Sequence, residues 1–139
     1  MRYVEMINRM NVLGDALQLA LPAKAMSETL LLRAHYAKGM NEWQTMCEQV
    51  GKDMPREEEE DDAAYLKRLN DMLAPKSEEE APTVSDRRYS KEAFEAVCAA
   101  AIDAGEVLSS VHLTKDYKPA KVPAWLWLEY LAANIVTEE

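Results

Sequence analysis

The stretch YVEMINRMNVLGDALQLA, residues 3–20, carries a regular apolar pattern that decides how the chain begins to fold. Its apolar residues recur at alternating steps of three and four, which is the spacing of one face of an α-helix. The pattern therefore predicts a first helix with an apolar seam, stopped by Pro22. The seam consists of Tyr3, Met6, Met10, Leu13, Leu17 and Ala20.

This seam has two interpretations. It can face the core of its own chain, or it can form a short coiled coil with a second copy. It extends over about two and a half heptads, whereas a sustained coiled coil needs roughly three or four, so its length favours the core. Without Ala20, the seam is also the first candidate surface for a partner.

Three further helices are expected in the N-terminal half of the chain. Apolar residues at helical spacing predict one over residues 23–38, with Gly39 as a left-handed cap at its C-terminus. Asn41 and Gln44 resemble a capping box and predict a short third helix. Pro55, a favourable residue at the start of a helix, opens a predicted fourth helix.

Six consecutive acidic residues follow soon after Pro55 and would occupy the first two turns of this fourth helix. Carboxylates near a helix N-terminus are favourable, but this effect accounts for only roughly two or three of them. Lys67 and Arg68 would lie too far along the helix to neutralise the row. The sequence therefore predicts an acidic surplus that is either solvated or available to a basic surface. The row consists of Glu57, Glu58, Glu59, Glu60, Asp61 and Asp62.

The segment PKSEEEAPTVSD, residues 75–86, has two prolines, three consecutive acids and no apolar periodicity, which is typical of a linker. Beyond it, Ser90 is placed to cap a fifth helix. Gly105 either lies within that helix or ends it, which would leave residues 106–113 as a loop or a short strand. Pro123 opens the last predicted helix.

The last helix carries three large aromatic residues, Trp125, Trp127 and Tyr130, on more than one side. A single neighbouring helix cannot cover all of them. Either this helix lies in the middle of the bundle, or one of its sides meets a partner. Trp and Tyr are frequent anchors of protein interfaces, so these three residues are the second candidate partner surface.

Together these patterns predict an all-α fold of five to six short helices in a small bundle. An N-terminal helical bundle, residues 1–74, is joined to a C-terminal helical pair, residues 89–139, by an acidic, proline-containing linker, residues 75–88. The chain has only four glycines and six prolines, which argues against a β fold with many tight turns.

Charge and composition argue against several classes of function. The net charge is −9, and residues 53–80 hold eleven acidic and four basic residues, so no direct binding to nucleic acid is expected. The two histidines, His35 and His112, lie in different halves of the chain, and no metal-binding or phosphate-binding motif occurs. The sequence therefore predicts no metal, no cofactor and no catalytic residue.

Cysteine use and hydropathy bear on the cellular location. Cys47 and Cys98 lie in apolar helical patterns, which favours a reducing compartment over a disulfide framework. No apolar run approaches the ~20 residues of a membrane span. We therefore expect a cytoplasmic protein without membrane contact.

The leading functional hypothesis is a non-enzymatic protein that interacts or assembles through helix–helix contacts, with a protein partner or as a homo-oligomer. The alternative is an acidic inhibitor or chaperone-like adaptor. In that hypothesis, residues 57–62 and 78–80 engage a basic protein surface. Added salt would weaken such binding, because exposed charges are screened beyond roughly 8–10 Å at physiological ionic strength.

Overall fold

A computed structural model describes residues 1–81 and 85–134, which form five helices and one two-stranded sheet. The elements are α1 (Tyr3–Ala16), α2 (Ala23–Asp53), α3 (Asp62–Ser77), α4 (Lys91–Ala104), β1 (Glu106–Leu113), β2 (Pro119–Pro123) and α5 (Ala124–Asn134). The chain is predominantly helical, as predicted, but the all-α expectation misses the sheet. Linker residues 82–84 and residues 135–139 of the predicted C-terminal pair lie outside the described ranges. No helix in those ranges is both long and apolar enough to cross a membrane.

Helix α1 forms where the apolar seam predicts it, although it ends at Ala16 and does not continue to residue 20. Leu17 still has helical backbone angles, and its N–H donates to the carbonyl oxygen of Leu13 to close the last turn. Leu19, beyond the end of the helix, remains buried. Ala20, the last residue of the predicted seam, is exposed, so the seam does not remain buried beyond the helix. Leu19 packs against the core from the turn instead.

Helix α2 is one continuous helix of 31 residues, so the predicted break at Gly39 is wrong. Gly39 is buried within the helix, and the capping pattern at Asn41 lies inside it as well. One stripe of buried and half-buried residues runs along the whole helix at steps of three and four. It consists of Ala25, Thr29, Leu32, Tyr36, Gly39, Trp43, Met46 and Val50. Packing along this stripe outweighs the local stop signals, each of which is worth only about 1 kcal/mol.

Helix α3 begins at Asp62, so the prediction that residues 57–62 fill its first two turns is wrong. Asp61 is the N-cap: its backbone is extended, and its carboxylate accepts a hydrogen bond from the N–H of Ala64 at 2.8 Å. The helix then continues to Ser77, three residues into the predicted linker. The acidic side chains therefore lie mostly in a turn before the helix, from which they can fold back over it.

The residues that follow α3 are fastened to the start of α1 by backbone hydrogen bonds. The N–H of Tyr3 donates to the carbonyl oxygen of Glu79 at 3.1 Å, and the N–H of Ala81 donates to that of Met1 at 2.9 Å. The segment that follows the C-terminus of α3 is thus connected to α1, even though the helix itself is peripheral.

A buried arginine fastens the segment before α4 to α1 and α2. Arg9 Nη1 donates a hydrogen bond to Tyr36 Oη at 2.8 Å and forms an ion pair with Asp86. The Tyr36 hydroxyl donates to the carbonyl oxygen of Arg87 at 2.5 Å and accepts from its N–H at 2.9 Å. Burial alone would raise the pKa of Asp86, but the hydrogen bond and the charge of Arg9 hold it below its ordinary value.

A β-hairpin follows α4 and decides between the alternatives for Gly105. Gly105 ends α4 with a positive φ of 78°, a conformation that glycine adopts without steric cost. The chain then enters β1, in which Val107 pairs with Val122 of β2. The register becomes irregular between Ser109 and Leu113. Gly105 thus ends the helix, and residues 106–113 form a strand, which was one of the two alternatives.

One hydrophobic core joins residues from both predicted parts of the chain. Helices α1, α2, α4 and α5 and the hairpin all contribute buried side chains to it, whereas α3 contributes none. The largest fully buried apolar and aromatic side chains are those of Trp127, Tyr36, Tyr89, Met6, Leu13 and Leu131. Helix α3 therefore lies on the outside of an otherwise complete core.

Candidate functional site

The first candidate surface, the seam of α1, faces the core of its own chain. Tyr3, Met6 and Leu13 are buried, and Met10 and Leu17 are half-buried. In this placement the seam packs against neighbouring elements of the same chain, and little of it is left for a second copy.

The second candidate surface is divided between the core and the solvent. Trp127 is fully buried and Tyr130 is half-buried, while Trp125 is 63% exposed. The two tryptophans are two positions apart on α5, so the helical twist directs them to nearly opposite sides. Of the three aromatic residues, Trp125 has the surface that a partner could cover.

A buried polar cluster, which we did not predict from the sequence, lies between α1, β1 and α5. The carboxylate of Asp15 is 1% exposed and accepts hydrogen bonds from Ser110 N at 3.0 Å, Ser110 Oγ at 2.8 Å and Trp127 Nε1 at 3.2 Å. A carboxylate can only accept hydrogen bonds, and three donors converge on this one. The only hint of this cluster in the sequence is that Asp15 interrupts an apolar run. Its partners, Ser110 and Trp127, are 95 and 112 residues away in the chain and could not be identified from that pattern.

Ser109 and His112 lie side by side near this cluster, but the serine hydroxyl is engaged by the backbone of its own strand. Ser109 Oγ lies 2.9 Å from His112 Nδ1. The same oxygen accepts hydrogen bonds from the backbone N–H groups of Val111 and His112, both at 3.3 Å, and Ser109 is fully buried. A nucleophile has to reach its substrate, whereas this hydroxyl closes the irregular part of β1.

Tyr89 makes another buried polar contact, just before α4. Its hydroxyl lies 2.6 Å from Thr29 Oγ1 of α2, and both residues are fully buried. Burial raises the pKa of Tyr89 to about 12, because the phenolate would lose its hydration, while the hydrogen bond with Thr29 acts in the opposite direction. The folded protein therefore keeps this phenol neutral to a higher pH than the unfolded chain does.

We expect the protein to lose stability between about pH 10 and about pH 12, because Tyr89 ionises more easily in the unfolded chain. A pKa that is raised in the folded state contributes stability that is complete below the unfolded value of about 10. That contribution, roughly 2–3 kcal/mol, is lost as the pH rises through the folded value of about 12. Urea unfolding over this pH range should show a steeper fall of the unfolding free energy for the wild type than for Tyr89→Phe.

The matched control for this experiment is Tyr117→Phe, which removes a phenol that is 85% exposed. Its unfolding free energy should follow that of the wild type at every pH. Parallel curves for the wild type and Tyr89→Phe would contradict the expected role of Tyr89.

The acidic arm, which we define as residues 53–80, is partly neutralised by its own arginines. Arg68 Nη2 donates to Glu60 Oε1 at 2.7 Å, and Arg56 forms an ion pair with Asp62. The prediction that Arg68 lies too far along the helix to neutralise the row is therefore wrong. Because the row lies mostly before α3, it folds back over the first turns of the helix and comes within reach of this side chain.

Tyr65 organises the turn that carries the acidic row. Its hydroxyl donates to the carbonyl oxygen of Met54 at 3.0 Å. The guanidinium carbons of Arg56 and Arg68 lie 5.9 and 5.6 Å from the centre of its ring, within the range of cation–π contacts. The contacts of Tyr65 thus hold the acidic turn in a defined conformation.

Several acids of the arm have no cationic partner among the described residues. Glu58 and Glu59 are exposed in the turn, and Asp71 is exposed on α3. Of the remaining members of the row, Glu57 and Glu60 face Arg68, Asp62 faces Arg56, and Asp61 caps the helix. The arm therefore keeps an outer surface of uncompensated negative charge.

Helix α3 exposes apolar side chains on two sides. Leu66 is 57% exposed and borders an open groove that reaches Tyr117 in the turn between β1 and β2. Met72 is 47% exposed and borders a cleft between α3 and α2. The acidic arm thus presents apolar and negatively charged surface together, and we treat it as the candidate site.

Chemical groups that could hold an ion or act as a nucleophile are poorly placed in the described parts of the chain. No group of three or more His, Cys, Asp or Glu side chains there is arranged to hold a metal ion. Burial raises the pKa of both Cys47 and Cys98, which favours the less reactive thiol over the thiolate.

Comparison of the chain with protein-family models, with curated proteins and with solved structures gave no match.

Proposed function

We propose that the protein is a non-enzymatic interaction protein that binds a protein partner through helix–helix contacts of its acidic arm. The observation that carries this proposal is the exposure of α3. This helix of 16 residues has no fully buried side chain and leaves Leu66 and Met72 about half exposed. Tyr65, Leu69 and Leu73 are already half-buried, so Leu66 and Met72 provide the apolar surface that a partner could still cover. Burial of apolar surface is the main driving force of protein association.

A second candidate function, an acidic inhibitor or chaperone-like adaptor, is favoured by the charge of the same arm. Glu58, Glu59 and Asp71 are exposed and have no cationic partner in the described ranges. The two candidates differ in their salt dependence. Contacts of Leu66 and Met72 persist at high salt, whereas ion pairs with a basic surface are screened.

Trp125 provides a further contact surface in this proposal. It is 63% exposed on α5. Exposed tryptophan is a common anchor for a partner or for a second copy of the chain. The acidic arm is preferred as the primary surface because it combines apolar residues with unpaired charge.

The proposal includes a cytoplasmic location and the absence of enzymatic activity. Cys47 and Cys98 are unpaired, as a reducing compartment allows. Ser109, which lies beside His112, is the residue that most resembles a nucleophile with its base. Its hydroxyl is buried and accepts hydrogen bonds from backbone N–H groups, which supports a structural role.

Co-purification from cells that produce the tagged protein tests this proposal. We expect the wild type to retain a partner in stoichiometric amount, and Leu66→Gln/Met72→Gln to reduce its recovery at least about tenfold, a loss of about 1.4 kcal/mol. The control, Leu31→Gln/Ile102→Gln, makes the same kind of change at two exposed positions outside the arm. Circular dichroism establishes that all three proteins are folded. Equal recovery with the two double variants would refute the proposal.

A further inference from the structure

We propose that the cleft between α2 and α3 binds a basic amphipathic helix of another protein. This inference rests on the proposed function and names the class of partner that the arm takes. The cleft has a volume of about 220 Å³. Its apolar lining consists of Met46, Val50 and Met54 from α2 and its C-terminal cap, and Met72 from α3.

The methionines of this cleft suit it to the apolar face of a helix. Methionine is unbranched and polarizable, so it adapts its shape to an inserted side chain. Met46 and Met54 are half-buried and Met72 is 47% exposed, while Val50 is 7% exposed and forms the floor. A helix laid into the cleft with apolar residues at i, i+3, i+4 and i+7 would remove the remaining methionine surface from water.

The charges around the cleft favour a basic helix. Asp53 and Lys76 both line the cleft, and Asp53 accepts a hydrogen bond from the amide of Gln49 at 3.0 Å. These two opposite charges balance within the lining. The negative excess comes from Glu58 and Glu59, which are exposed in the turn that follows Met54 and have no cationic partner among the described residues. A ligand with lysine or arginine beside its apolar face complements this surface.

The cleft is preformed, because hydrogen bonds hold α3 at both ends. Near the N-terminus of α3, the hydroxyl of Tyr65 donates to the carbonyl oxygen of Met54 at 3.0 Å. After its C-terminus, the N–H of Tyr3 donates to the carbonyl oxygen of Glu79 at 3.1 Å. A site that is already ordered loses less conformational entropy on binding. These contacts therefore support affinity without covering the cleft.

A designed peptide pair in a titration of the full chain tests the inference. The first peptide is an amphipathic helix with leucine on one face and lysine on the other, and the second replaces each lysine with glutamate. We expect the lysine peptide to bind with a Kd of about 10 μM or tighter, and the glutamate peptide at least about tenfold more weakly. Methyl NMR of labelled methionine should show shifts at Met46, Met54 and Met72.

Three variants separate cleft binding from general attraction to an acidic protein. Met46→Gln/Met72→Gln should weaken the lysine peptide at least about fivefold at both low and high salt, because it removes apolar contacts. Asp53→Asn/Glu58→Gln/Glu59→Gln should weaken it mainly at low salt and flatten the salt dependence. The control Leu31→Gln/Ile102→Gln should bind like the wild type, since both residues lie outside the cleft.

The outcomes that overturn the inference are distinct from those that overturn the proposed function. Equal binding of the two peptides, shifts away from the cleft methionines, or unchanged affinity of Met46→Gln/Met72→Gln would each refute the cleft as a basic-helix site. A dimer in which Met46 and Met72 are covered without peptide would assign the cleft to a second copy and refute it too. If any of these occurs while Leu66→Gln/Met72→Gln still loses its cellular partner, the proposed function stands.

Discussion

Replacement of Asp15 by alanine should destabilise the protein by about 3–5 kcal/mol, a large part of the ~5–15 kcal/mol that stabilises a typical domain. The change leaves the N–H and the hydroxyl of Ser110 and the indole N–H of Trp127 without their acceptor inside the core. A buried donor that loses its partner costs roughly 1–3 kcal/mol. Urea unfolding followed by circular dichroism at neutral pH, with linear extrapolation to water, measures the difference.

Two matched variants show whether the loss belongs to the buried cluster. Asp15→Asn keeps the shape and one carbonyl oxygen but places an N–H₂ group among donors, so its loss should be smaller, about 1–3 kcal/mol. Asp103→Ala, at an exposed position of α4, should stay within about 0.5 kcal/mol of the wild type. A loss below about 1 kcal/mol for Asp15→Ala would mean that the cluster does not stabilise the core.

The second large effect is expected for Trp127 of α5, whereas its neighbour Trp125 should be almost insensitive to substitution. Trp127→Ala should cost about 3–5 kcal/mol, because it removes a fully buried side chain and leaves a cavity. Trp125→Ala, two positions away, should change the unfolding free energy by less than about 0.5 kcal/mol, since Trp125 is 63% exposed. The same urea titration measures both variants.

Trp127→Phe separates packing from hydrogen bonding in this second prediction. It keeps most of the ring volume but removes the indole N–H that donates to Asp15. A double-mutant cycle of Trp127→Phe with Asp15→Asn should give a coupling free energy of about 0.5–3 kcal/mol, because the two side chains are in contact. If Trp127→Ala and Trp125→Ala lowered the unfolding free energy equally, the assignment of Trp127 to the core and Trp125 to the surface would be wrong.

The helical content of the chain could be predicted from local patterns, but the helix boundaries could not. Residues 3–16 have a clear apolar repeat, and α1 forms there. At Gly39 the local signals predicted a break, yet α2 continues, because residues before and after Gly39 share one packed stripe. Capping signals act over one turn, whereas packing acts along the whole helix, so packing decides when the two disagree.

The acidic row shows the same limit for the candidate site. Its composition and its negative charge could be read directly, as could the scarcity of nearby bases. The ion pair between Arg68 and Glu60 could not be predicted, because it forms only when α3 starts at Asp62 and not at Pro55. The apolar exposure of Leu66 and Met72 was also hidden, since their spacing is the same whether a helix is covered or bare.

Three properties can be read from residue types and from spacings of a few positions. They are the mainly helical character of the chain, the concentration of acid in residues 53–80 and the lack of familiar catalytic and metal-binding motifs in the sequence. The three-dimensional packing was needed to show that the α1 seam and Trp127 face the core, while Trp125 and α3 face the solvent. Burial depends on contacts between residues that are far apart in the chain, such as Asp15 and Trp127 at a separation of 112, and local periodicity carries no information about such pairs.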